Sequence, residues 1–158
     1  MARIRPARPE DAAALNRALS DLSHHMGDTH RARAADLHQA LFGPVPVSRA
    51  AIADGADGPV GAILYSPLFS TMRGGAGLFV SDLWVAAEAR RNGLGAALLG
   101  HAAAEARVAW GARFLRLVVY DDNPQARAFY AARGFEEARG EIGLVLSGAA
   151  FDDLKETV

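Results

Sequence analysis

The sequence predicts an α/β fold, a mixed α+β sheet with helices on both faces, in the order β-α-α-β-β-β-α-β-α-β-β. Two observations carry this reading. Apolar runs joined by Asp/Gly-rich turns, at Asp54-Gly55-Ala56-Asp57-Gly58 and Arg73-Gly74-Gly75, imply hairpins and mostly antiparallel neighbours. The runs Leu78 to Ala86 and Arg113 to Tyr120 are separated instead by a long Ala/Leu-rich segment, a crossover that makes those strands parallel. With 158 residues, the chain suits a single domain, 1–158, with a sizeable core.

Each element has a local reason. Ala2 to Ala7 alternates around Ile4 and reads as a first strand. Pro9-Glu10-Asp11 opens a helix, with Pro suited to the first turn and acids placed where the helix dipole favours them. Ala14, Leu15, Ala18 and Leu22 keep helical spacing to about His25. Ala32 to Phe42 forms a second helix, stopped by Gly43-Pro44-Val45-Pro46. Val47 to Ala53, Pro59 to Leu68 and Leu78 to Ala86 are three strands, and Gly95 to Trp110 is the crossover helix. Arg113 to Tyr120 holds Phe114, Leu115, Leu117, Val118 and Val119, a strand expected to be buried on both faces. Asp121-Asp122-Asn123-Pro124 caps a helix from Gln125 to Arg133, ended by Gly134. Phe135 to Ala138 and Ile142 to Leu146 pair as a closing hairpin, and Phe151 to Lys155 is a short tail.

Bulk properties exclude several classes of function. A net charge of −1 gives no basic surface for nucleic acid or an anionic membrane. The absence of Cys removes disulfides, Cys-ligated zinc and thiol nucleophiles. No apolar run nears the ~18 residues that cross a bilayer, so the expected location is cytoplasmic. Lys155 is the only lysine, so the many arginines read as compositional bias and a single Arg says little about anion binding.

Arg90-Arg91-Asn92-Gly93-Leu94-Gly95-Ala96 lies between a strand and the start of the crossover helix. Bare amides at a helix N-terminus, with Gly allowing close approach, suit a phosphate. A dinucleotide fingerprint fails because Leu98 holds the third Gly position, and a P-loop fails for want of Gly-Lys-Ser/Thr. Downstream lies a second motif, Asn123-Pro-Gln-Ala126-Arg-Ala-Phe129-Tyr130-Ala-Ala-Arg-Gly134-Phe135.

In order and at this separation, the two motifs resemble those of the GNAT superfamily of acyl-CoA-dependent N-acetyltransferases, and the resemblance extends over nearly the whole chain. Arg90, Gly93 and Gly95 match the family's R/Q-x-x-G-x-G/A. Asn123, Ala126, Phe129, Tyr130, Gly134 and Phe135 match N-x-x-A-x-x-F/L-Y-x-x-x-G-F. The resemblance implies a GNAT-like fold whose fourth and fifth strands splay apart. Acetyl-CoA, the implied co-substrate, would lay its pantetheine arm along Leu83, Trp84 and Val85. The amides of Arg91, Asn92, Gly93, Leu94, Gly95 and Ala96 would hold its pyrophosphate, with Asn123 on the pantetheine side and Ala126 leaving room there. Tyr130 is the implied general acid for the leaving thiolate.

Asp82 is the candidate base or amine anchor. An alkylammonium with a pKa near ~10.4 must lose a proton before attack, at roughly 4–5 kcal/mol at neutral pH. A semi-buried carboxylate can lower that barrier, directly or through water. Val80-Ser81-Asp82-Leu83-Trp84-Val85 resembles the diamine/polyamine branch, which often reads E-D-x-x-V, but Ser81 stands where those relatives carry Glu. Trp84 shares strand parity with Asp82, for packing or as a pocket wall. His24, His25, Asp28 and His30 lack ordered metal-ligand spacing and read as a solvated loop beside the acceptor site. Tyr65 and Phe69 read as packing or pocket lining, and His101 as a surface or packing residue.

The expected activity is acetyl transfer to a primary amine of a small molecule, with no metal, no nucleic acid and no membrane, and with a homodimer as the family expectation. The alternatives are acetylation of a protein N-terminus or an antibiotic amine, or a noncatalytic acyl-CoA sensor.

Overall fold

The computed structural model describes residues 2–154. Their contacts form two compact units that meet in sequence at Val118/Val119. The first contains β1 (Arg3–Pro6), α1 (Ala12–Met26), α2 (Ala34–Phe42), β2 (Arg49–Asp54), β3 (Pro59–Ser70), β4 (Gly75–Val85), α3 (Leu94–Trp110) and β5 (Leu115–Leu117). The second contains α4 (Pro124–Ala131) and a single turn, α5 (Ala149–Asp152). Residue 155, where the expected tail ends, lies outside the described residues.

The strands form one sheet in the order β1-β2-β3-β4-β5. β2, β3 and β4 are joined by short turns and pair antiparallel, β1 pairs antiparallel with β2 after the two intervening helices, and β5 joins β4 in parallel through the α3 crossover. Alternation sorts the side chains between two layers. Leu15, Ala18 and Leu19 of α1 and Leu37 and Leu41 of α2 pack on Ala50, Ile52 and Ala62, with Leu64 and Trp84 against the same cluster. The opposite face receives α3. A Cβ on Gly61 would stand 2.9 Å from Leu98 Cδ1 and 3.1 Å from Leu94 Cδ2, so glycine there lets the helix lie close to the sheet.

Arg5 ties the start of α1 to the sheet. Its Nη1 and Nη2 donate to the Asp11 carboxylate at 2.7 and 3.0 Å, and its Nε donates to Asp54 at 2.9 Å. Asp11 also accepts from the Arg8 amide at 2.7 Å. Hydrogen bonding from Arg5, ahead of the opposing effect of burial, holds the Asp11 carboxyl below its ordinary value of 3.8.

β4 and β5 pair only at Leu78↔Leu115, Phe79↔Arg116 and Val80↔Leu117. From Ser81 to Val85 the β5-side edge of β4 has no strand partner among the described residues, as the implied splay requires. The β3–β4 register shifts at the same place. Leu64 opposes Asp82 while Tyr65 opposes Val80, which leaves Ser81 as an extra residue.

Two expectations are corrected. The fifth strand spans Leu115–Leu117 rather than Arg113 to Tyr120, and it is not buried on both faces: Val118 is 74% exposed. β5 is the outermost strand among the described residues, and its own side chains are at most half-buried. The closing hairpin does not form either; residues 135–138 and 142–146 are not strands, and Ile142, Leu144 and Val145 are largely exposed. An isolated two-stranded hairpin is marginal in water, and no third strand pairs with these segments among the described residues. No helix among the described residues is long and apolar enough to cross a membrane.

Replacing Asp11 with Asn should lower stability by about 1–2 kcal/mol at neutral pH, read from the urea midpoint. Because the folded pKa is depressed, this contribution is present above pH 3.8 and is lost as pH falls through the lower folded value. Wild type and variant should therefore converge in acid.

Candidate active site

Beyond the last pairing with β5, the exposed edge of β4 leads through a short turn at Ala87–Ala89 into the glycine loop and α3. The loop backbone is left-handed twice, at Arg91 (φ 64°) and at Gly93 (φ 76°). Such φ values cost a residue with a Cβ, so Arg91 is strained where Gly93 is not. Gly93 is the N-cap of α3 and offers no side-chain acceptor, so the first-turn amides of Leu94, Gly95 and Ala96 are left for another partner. Leu94 is buried and fixes the turn, while Arg90 to Gly93 are exposed. Arg90 folds back, its Nε donating to the Val85 carbonyl at 3.0 Å, and so satisfies the last carbonyl of β4.

Along β4, Asp82, Leu83, Trp84 and Val85 are half-buried. Asp82 opposes Leu64 and Trp84 opposes Ala62, so both lie on the α1/α2 face. The shift at Ser81 precedes them and leaves their shared parity intact. No hydrogen bond or ion pair engages the Asp82 carboxylate among the described residues.

That face carries an open cleft of about 410 Å³. Arg17, Asp21 and His24 of α1 line one side, Asp57 and Pro59 of the β2–β3 turn line another, and Trp84 also borders it. Trp84 thus packs on the core and lines a cleft. Asp82 itself is not part of that lining. Asp21 and Asp57 were not singled out from the sequence: Asp57 served as hairpin punctuation and Asp21 lay on the polar face of a helix. No sequence signal marked them, because they come together only around the cleft.

The histidine-rich turn does not converge on a point. His30 is bound through Nδ1 to Ser23 Oγ at 3.0 Å and through Nε2 to Asn16 Oδ1 at 2.9 Å, which braces the segment after α1. No group of three or more His, Asp or Glu side chains gathers at metal-binding geometry among the described residues. Tyr65 is fully buried and donates to Glu105 of α3, Phe69 is exposed, and His101 is half-buried with its Nε2 3.9 Å from Glu105.

In the second unit, Asn123 caps α4, its Oδ1 accepting from the Ala126 amide at 3.0 Å, with Pro124 in the first turn. Tyr130 follows on the same helix. Its ring meets Phe129 and Phe135 in edge-on contacts at 5.1 and 5.2 Å. Burial pushes its phenol above the ordinary value of 10.0. The hydroxyl has no hydrogen-bond partner among the described residues, so it is a protonated phenol with a donor to spare.

The sequence model of the acetyltransferase (GNAT) family matches residues 15–135. Among curated proteins, none matches the chain. Solved structures with the same fold include an integron cassette protein from the mobile metagenome of V. cholerae, 23% identical, with a TM-score of 0.77 and 96% of each chain covered. Another integron cassette protein, from the mobile metagenome of Cole Harbour Salt Marsh, is 28% identical, with a TM-score of 0.74, covering 93% of this chain and 92% of that one. An aminoglycoside acetyltransferase from an uncultured soil metagenomic sample is 21% identical, with a TM-score of 0.74, covering 93% and 99%.

Replacing Gly93 with Ala should cost about 1 kcal/mol through the left-handed φ alone, since a Cβ there meets nothing within 4 Å. Gly100 sits within α3, where a Cβ is equally free, so Gly100→Ala should stabilise instead. Opposite shifts in melting temperature are the expected result.

Proposed function

We propose, from the premise that this chain belongs to the acetyltransferase (GNAT) family, that it transfers an acetyl group from acetyl-CoA to a primary amine of a small molecule by direct attack in a ternary complex. The observation that carries the reading is the open edge of β4 from Ser81 to Val85, which runs into a helix N-terminus with uncapped amides. An extended pantetheine arm can pair with the strand edge as a further strand would. The amides of Arg91 to Ala96 then receive the pyrophosphate, assisted by the helix dipole. Asn123 and Ala126 are assigned to the pantetheine side from the family motif.

The acceptor is read as an amine because the α1/α2 face offers carboxylates. Asp21 and Asp57 border the cleft and Asp82 projects from the same face of β4 as Trp84. An incoming ammonium is anchored there and gives up its proton to Asp82 or to a water held by it. The amine nitrogen attacks the thioester carbonyl carbon; as the C–S bond breaks Tyr130 gives its proton to sulfur, and the second proton leaving the new amide nitrogen restores the phenol through water. No covalent acetyl-enzyme is invoked, since the chain has no cysteine to carry one. Within the family, Val80 to Val85 is nearest the diamine/polyamine branch, with Ser81 in place of Glu. A homodimer in the cytoplasm, acting without metal, nucleic acid or membrane, completes the reading.

A turnover screen with acetyl-CoA against polyamines, amino acids, aminoglycosides and short peptides tests this directly. Acceptor-dependent thiol release with at least one amine is expected; CoA binding without any such release would make the protein a sensor. Tyr130→Phe should lower kcat by 10²-fold or so while leaving the Kd for CoA within about twofold. Because the Tyr130 phenol is raised, its acid role should persist to pH 10 and fail only above it. That alkaline limb should be absent from the residual activity of the Phe variant.

A further inference from the structure

β4 faces two different layers at its two ends. Val80 opposes the fully buried Tyr65, whose hydroxyl donates to Glu105 of α3. Trp84, beyond the shift, packs instead in the α1/α2 cluster. Had β4 stayed in register beyond Val80, with Ser81 opposite Leu64, Asp82 would oppose Ile63 rather than Leu64. Ile63 is fully buried, and residues of that parity belong to the α3 side, as Tyr65 does. A carboxylate there would be desolvated without a partner, and the α1/α2 face would lose it. The register shift is therefore what places Asp82 on the α1/α2 face.

Two side chains hold that shift. At the shift itself, Ser81 Oγ donates to the Leu64 carbonyl at 3.3 Å, a side-chain bond across the irregularity. One residue further along β3, Tyr65 is anchored to α3 by its bond to Glu105 and by its ring, 6.4 Å from that of Trp110. Trp110 in turn donates from Nε1 to the Gly77 carbonyl of β4 at 2.9 Å. The α3 side of both strands is thereby pinned just before the register changes.

We propose that Ser81 and Tyr65 are positioning residues that lock the β4 register and so aim Asp82 at the acceptor face. This rests on the reading of Asp82 as base or anchor, and it gives a role to the serine that replaces Glu in the polyamine-like motif. It also assigns the carboxylate's orientation to groups that never touch the substrate.

The experiment compares Ser81→Ala, Ser81→Thr and Tyr65→Phe with wild type by NMR amide exchange and by kinetics. In wild type, cross-strand contacts should pair Leu64 with Asp82. In Ser81→Ala and Tyr65→Phe, exchange at residues 80–83 should rise at least tenfold, and kcat with an active amine should fall about five- to tenfold. Ser81→Thr, which keeps the hydroxyl, should resemble wild type in exchange and in kcat. Unchanged exchange would overturn the lock. Faster exchange with unchanged kcat, or equal losses in the Ala and Thr variants, would overturn its positioning role. If wild type acetylates no amine, the functional reading fails, and exchange alone then decides the lock.

Discussion

β4 must satisfy two demands that a regular strand cannot meet together. Its first half is a paired interior strand, held by β3 on one side and β5 on the other. Its second half must turn a carboxylate and an indole toward α1/α2 while leaving one edge open. The single extra residue at Ser81 accommodates both, because side-chain period in a strand is two and one inserted residue reverses the faces. Everything proposed for the acceptor face follows from that step, since Asp82 and Trp84 lie beyond it. The open edge has its own cost, as backbone groups denied a ladder need water or a ligand. Arg90 relieves part of it at Val85, where the chain leaves the sheet.

The glycine loop continues the same logic in a different geometry. Where β4 offers unpaired groups along a line, the turn into α3 gathers amides at a point. Gly93 accomplishes this by being both left-handed and without a capping side chain, so the donors of the first turn are not consumed internally. Asn123 does the opposite for α4, spending its Oδ1 on the Ala126 amide. The two helix starts were both read from sequence motifs, but one is left open at its amides and the other is closed by its own side chain.

Much of the scaffold was legible because its signals are local. Asp/Gly turns announced the hairpins, and the Ala/Leu crossover announced the parallel pair. What failed depended on neighbours. Arg113 to Tyr120 looked buried because it is apolar, yet burial depends on what packs against a strand's faces, and β5 is at most half-buried. The 142–146 run has strand-like residues but no third strand to pair with among the described residues, so composition alone could not make it a strand. The register shift left a trace that was open to reading: Leu78 and Val80 keep one parity and Leu83 and Val85 keep the other. The parity change marks a bulge only once β3 is laid beside it. The cleft acids were hidden for a different reason, since Asp21 and Asp57 meet around a space that no linear spacing encodes.

Acyl transfer to an amine requires two opposite proton movements, and the two candidate groups occupy correspondingly different surroundings. Asp82 stands half-buried on the α1/α2 face, which also carries an open cleft bordered by Asp21 and Asp57. Tyr130 sits among Phe129 and Phe135, where loss of water penalises the phenolate and keeps the proton in place. A base must be able to take a proton at neutral pH and an acid must still hold one. The buried phenol meets the second of these demands. Tyrosine is well matched to the second task because a thiolate leaving group needs a proton only as the C–S bond breaks. A stronger acid would already have lost its proton at the pH where the amine becomes a nucleophile.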